Sequence, residues 1–243
     1  MRRAMLAMAP LLVLAGCGTD GHAAQDAASG QAGRRDFQVG AFDRVELAGS
    51  QDVIVTVGGA PSVRAEGDTG IIDKLDIRVE DGALKIGQKK GSWSFGWKKD
   101  SSPVTIYVSA PALRGAQVTG SGDMRVDKVQ ADSFSAAVTG SGELDIAALQ
   151  AKSADFAVTG SGEVRAVGAA ETANLSITGS GDLRAGAFEV KRANVSVMGS
   201  GNVEAKAMET ADVSIMGSGD ATITGTARCN IEKKGSGDAR CGG

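Results

Sequence analysis

The amino-acid sequence predicts an all-β fold: a single-stranded parallel β-helix with 18–20 residues per coil, preceded by less regular β coils and a hairpin. Three observations carry this. The tripeptide Gly-Ser-Gly begins at residues 120, 140, 160, 179, 199, 217 and 235, and near-constant spacing of that length marks a solenoid. Apolar and polar residues alternate on both sides of each tripeptide, the period of a strand with one buried face. No window shows a sustained helical period with caps.

Each coil can be read in order. The residues six, four and two before the first glycine turn inward, as Phe134, Ala136 and Val138 do, then Ala154, Phe156 and Val158. After the tripeptide the alternation resumes with Met124 and Val126, then Leu144 and Ile146. A third inward point follows at Val129, Leu149, Phe188 and Met208. The paired glycines admit backbone angles that a Cβ forbids and let coils approach closely. At about 4.8 Å per coil, seven coils make a rod on the order of 30 Å long. Aromatics are only 4% of the chain, so the core is thin and built from Val, Ile, Leu and Ala.

Stacking turns each repeat position into a column. Asp123, Glu143, Glu163, Asp182, Asn202, Asp220 and Asp238 follow their tripeptides, and Arg125, Asp145, Arg165, Arg184, Glu204, Thr222 and Arg240 stand two places on. Two readings fit: arginines neutralising an acidic column on a solvated face, or a cation-binding stripe. The corner serines, and the column Ser135, Asp155, Asn174, Asn194, Asp212 and Asn230, read as polar ladders along the rod. A phosphate cradle is excluded, because no Gly-Ser-Gly opens a helix or precedes Lys-Ser/Thr. No cofactor or metal site is expected.

The ends differ from the middle. Residues 1–16 read as a signal peptide: a basic start, an apolar run, then Leu14-Ala15-Gly16-Cys17. That tetrapeptide resembles a bacterial lipobox with Cys17 as the lipidated, palmitate-bearing residue; the alternative is an ordinary signal with a chance cysteine. Gly18 after the cysteine points to the outer membrane. Residues 17–35 are small and polar, a tether that also holds the single histidine, His22, to which no role is given. Residues 36–110 form the irregular N-terminal β part, and 111–243 the regular coils. Within the first of these, "FDRVELAGSQDVIVTVG" contains a degenerate corner at Gly49-Ser50-Gln51, and "KLDIRVEDGALKIG" is a hairpin turning at Asp81-Gly82. Trp93, Phe95 and Trp97 alternate in a basic loop, as a surface for a glycan or headgroup or as a lid on the core. At the far end Lys233 takes an inward position, a charge that guards the edge. Cys229 and Cys241 both fall at inward positions, suited to a disulfide, the alternative being two buried thiols.

The order "FDRVELAGSQDVIVTVG", "LDIRVEDGALKI", "VTIYVSAPALRGAQVTGSGD" and then repeated Gly-Ser-Gly coils resembles the head GIN domain family, also called putative auto-transporter adhesin. The resemblance runs from about residue 37 to the end. It implies a right-handed parallel β-helix exported to the bacterial envelope, often as a lipoprotein, with no established activity and no catalytic residue to carry over.

The charge balance, 29 acidic against 26 basic residues, gives no sign of a nucleic-acid partner. The expected role is a lipid-anchored, non-catalytic binding or adhesion module of the cell envelope. Its expected partners are the membrane, through Cys17, and an envelope protein or glycan. The rival roles are a polysaccharide-active β-helix enzyme, against which the uninterrupted, histidine-free repeats argue, and an envelope scaffold or regulatory partner. Oligomeric state is not legible.

Overall fold

The computed structural model describes residues 31–89, Gly91 and 103–242. It is a parallel β-solenoid. The regular half runs β10 (Val129–Gly140), β11 (Glu143–Gly160), β12 (Glu163–Gly179), β13 (Asp182–Gly199) and β14 (Asn202–Gly217), each turning at a glycine corner. It ends in β15 (Asp220–Thr224), β16 (Arg228–Gly235) and β17 (Ala239–Cys241). Neighbouring coils pair in parallel with each corner glycine on the next: Gly140 on Gly160, Gly160 on Gly179, Gly179 on Gly199.

Main chain ties the corners together. Ser161 N–H donates to Gly140 O and Ser180 N–H to Gly160 O, both at 2.8 Å. The two glycines of a corner are required for different reasons. Gly160 has φ +112°, and a Cβ there would lie 2.5 Å from Gly140 O. Gly162 turns inward, where a Cβ would lie 2.5 Å from both Gly142 O and Val138 Cγ1.

The inward columns are buried as the alternation predicts. Phe134, Ala136, Val138, Ala154, Phe156 and Val158 are all at most 1% exposed. One inward residue differs from expectation. Ala207 is fully buried and Met208 only partly so. The register between β13 and β14 shifts after Ala185, and Val190 then pairs with Ala207. That coil is shorter, so its inward point moves back by one residue.

The N-terminal half extends the stack out of chain order. Here β2 (Arg44–Gly49) and β3 (Asp52–Val57) form a coil whose corner, Gly49-Ser50-Gln51, lies against Gly120-Ser121-Gly122. On that side they pair with β8 (Gly115–Gly120) and β9 (Asp123–Val126). On the other side lie two strands that come later in the chain, β6 (Ala83–Gln88) and β7 (Thr105–Ala110). Gln51 stands at the position of the second corner glycine, and its side chain is buried.

An antiparallel cap closes this end. β4 (Ser62–Asp68) pairs antiparallel with β7, and β1 (Ala32–Phe37) with β4. β1 corrects the expected tether, whose residues from Ala32 onward are strand. Its pairing is made by main chain along the edge of β4, so no apolar alternation announces it. A one-turn helix α1 (Thr69–Ile72) follows, capped by buried Asp68, whose carboxylate accepts from Gly70 N–H at 2.8 Å. β5 (Leu75–Glu80) and β6 make the expected hairpin. Asp81 and Gly82 take φ of 51° and 75°, the primed turn that suits two-residue hairpins. Glu80 sits below the usual carboxylate range because Arg78 and then Lys85 hydrogen-bond to it.

At the opposite end Lys233 caps the last coil, its ammonium 3.2 Å from Asp238 and 3.1 Å from Gly237 O. Cys229 and Cys241 are paired as a disulfide with Cα atoms 6.4 Å apart. They face inward in register but lie partly or fully exposed. Replacing either by serine is expected to cost roughly 2–3 kcal/mol, read as a lower urea midpoint. Reductant should produce the same loss in the unaltered protein and none in the variant.

Candidate binding face

The solenoid offers its outward columns as continuous surfaces. On the face after the corners the acidic column is neutralised at Glu163 and Asp182. Glu163 accepts from Arg165 at 3.2 Å and pairs with Arg184 at 3.1 Å; Arg184 also lies 3.7 Å from Asp182. Other members bond to the next coil: Asp123 Oδ1 accepts from Glu143 N–H at 3.0 Å, and Asp220 Oδ1 from Asp238 N–H at 2.7 Å. These exposed pairs each contribute little to stability. Among the described residues no group of three or more His, Cys, Asp or Glu is placed to hold a metal ion.

The face before the corners carries the amide ladder. Asn174 Nδ2 donates to Asp155 Oδ1 at 2.6 Å, and Asn194 Nδ2 to Asn174 Oδ1 at 2.9 Å. Asn230 Nδ2 donates to Asp212 Oδ1 at 3.4 Å. Beside this ladder runs a second column, Ser176, Ser196, Ser214 and Glu232. Between the two columns lies a furrow of about 450 Å³, floored by the strands at Leu175, Val195 and Val213. The serines are short, so the wall on that side stays low. Beyond it Met198 and Met216 are about half exposed, at 48% and 52%.

A second hollow, of about 650 Å³, lies near the third corner of the coils, where Lys152 and Asp132 pair at 2.7 Å. The hydrogen bond and charge of Lys152, with a smaller effect from Arg114, hold the Asp132 carboxyl below its usual range.

The expected polar ladder therefore exists in two pieces, Asp155 to Asn194 and Asp212 to Asn230, whereas the corner serines are linked through main chain. The furrow beside the ladder was not foreseen, since its depth depends on how two strand columns lean. Cys17, Trp93, Phe95 and Trp97 lie outside the described residues.

The family model described as "Putative auto-transporter adhesin, head GIN domain" matches residues 41–227. The chain belongs to this family. The head GIN fold recurs in solved structures. A putative adhesin from Bacteroides fragilis is 24% identical with a TM-score of 0.82, over 88% of this chain and 98% of that one. A putative lipid binding protein from Parabacteroides distasonis is 23% identical with a TM-score of 0.70, over 88% and 98%. A putative adhesin from Parabacteroides merdae is 18% identical with a TM-score of 0.70, over 88% and 97%. No curated protein matches. At these identities the structures establish the shared head GIN fold. Among the described residues no helix is long and apolar enough to cross a membrane.

Proposed function

We propose that this head GIN domain protein is a non-catalytic binding or adhesion module of the bacterial cell envelope, anchored by lipid at Cys17, and that the furrowed amide–serine face is its binding surface. The observation that carries the reading is the furrow itself. It spans four coils, from Asn174 to Asn230, and is walled by the amide and serine columns. A strand face that only had to be soluble would favour mixed charges. This one instead carries amides and serine hydroxyls with two acidic residues, Asp212 and Glu232, and no basic one. The family's description as an adhesin supports the same class of role.

The anchor is tested separately from the surface. Cys17→Ser is expected to abolish incorporation of labelled palmitate and to move the protein from the membrane pellet to the soluble fraction. Membrane retention of the variant would remove the anchor from the proposal. For the surface, purified protein on beads should retain bacterial cells or envelope fragments. Beads that retain neither would sink the binding role.

A further inference from the structure

The two walls of the furrow differ from an ordinary polar ladder at one step. An amide has two N–H donors and an oxygen with two lone pairs. Asn194 spends one donor on Asn174, and the other has no partner among the described residues. Its own oxygen stands beside Asp212, its register partner on the next coil. A carboxylate has no proton to give, so the ladder breaks there. Asp212 accepts only from Asn230, on its far side, among the described residues. Two acceptors thus lie one coil apart at the middle of the furrow, with a spare amide donor beside them and serine hydroxyls opposite.

Charge narrows the occupant. Asp212 and Glu232 line the furrow, no Lys or Arg does, and neither carboxylate has an ion-pair partner among the described residues. An anionic polymer would be repelled. Spacing narrows it further. Same-side groups on an extended peptide recur about every 6.6–6.8 Å, whereas coils recur about every 4.8 Å, so a peptide falls out of step by the second coil. Strand addition is not open either, because the floor strands spend their main-chain groups on the neighbouring coils. The floor offers an acyl chain apolar surface, but the amides, hydroxyls and carboxylates of the walls would lose water to it and gain no hydrogen bond. A chain of sugar rings brings hydroxyls that both donate and accept, at a repeat close to the coil rise.

We infer that the furrow holds a linear glycan without acidic substituents, lying along the solenoid axis with one sugar per coil and a hydroxyl bridging Asn194 and Asp212. This rests on the binding reading above and names its ligand class.

The test uses the full chain in detergent micelles and a panel of linear hexasaccharides of glucose, mannose, N-acetylglucosamine and galacturonate. At least one of the three non-acidic chains should bind, and galacturonate should bind at least tenfold more weakly. Ser196→Trp fills the furrow from an exposed strand position and should weaken binding at least tenfold, with circular dichroism unchanged. Asp212→Asn supplies a donor to Asn194, mends the ladder and should weaken binding several-fold. The inference is overturned if no non-acidic hexasaccharide binds, if galacturonate binds as well, or if both variants bind like the unaltered protein. Retention of whole cells separates the two readings. If cells are retained equally by protein and variants, the furrow loses its ligand and the binding role stands. If cells and glycans are both ignored, both readings fall.

Discussion

Gly160→Ala is expected to destabilise the solenoid by about 2–6 kcal/mol, with contributions from strain and crowding. The backbone at φ +112° belongs to glycine alone, and holding alanine there costs about 1–3 kcal/mol. The new methyl would also lie 2.5 Å from Gly140 O, main chain of the coil below. That oxygen accepts the bond from Ser161 N–H, so it cannot retreat without loosening the corner. Spreading the coils costs about 1–3 kcal/mol more, as overpacking does. Each corner is also the seat of the next, with Gly179 resting on Gly160, so the disturbance reaches two interfaces. Urea unfolding followed by circular dichroism measures the loss. Gly40→Ala is the control, since a Cβ there meets nothing within 4 Å and the backbone is unstrained; its shift should stay within about 0.5 kcal/mol. Equal shifts for the two variants would show that the glycine column does not set the coil spacing.

The same geometry explains what could be read from the sequence. The coils were legible because their corners tolerate one residue type. Seven glycine pairs at near-equal spacing leave few other arrangements, and the alternation around them assigns the inward face. The amide ladder was legible for the same reason: a column appears in the sequence as a period. Features that do not repeat were less visible. The placement of β2 and β3 between later strands follows from parallel pairing to β6 and β8, which leaves no local mark. β1 is held by main chain against β4, so Arg34 and Arg35 look like linker residues. Met208 was misplaced because a register shift inside a strand changes the count without changing the composition. At the binding face the sequence showed the column Asn174, Asn194, Asp212 and Asn230. It did not show that Asp212 interrupts it, because the interruption depends on which way each amide donates.

Phe188→Ala is the second large effect, expected to cost about 3–5 kcal/mol as a large-to-small core change does. Phe188 is 1% exposed, and its ring lies 5.4 Å from that of Phe156, tilted at 50°. Its register neighbour below is Gly168, which brings no side chain to the core. Gly168 cannot be enlarged in compensation, because it has φ +133° and a Cβ would collide with Leu149 O. The two rings therefore fill a level that smaller residues leave open, and the cavity in the variant has little means of collapsing. Phe188→Leu keeps most of the volume and should lose less than half as much. The position of the loss distinguishes a solenoid from a globular core. Coils interact chiefly with their neighbours, and Phe188 also reaches Phe156 across β12, so a defect at Phe188 should uncouple the C-terminal coils from the rest. Hydrogen exchange should rise most from Asn202 to Cys241 and least from Arg44 to Val126, where the antiparallel cap holds the stack. A uniform rise over both regions would mean that the coils unfold as one unit.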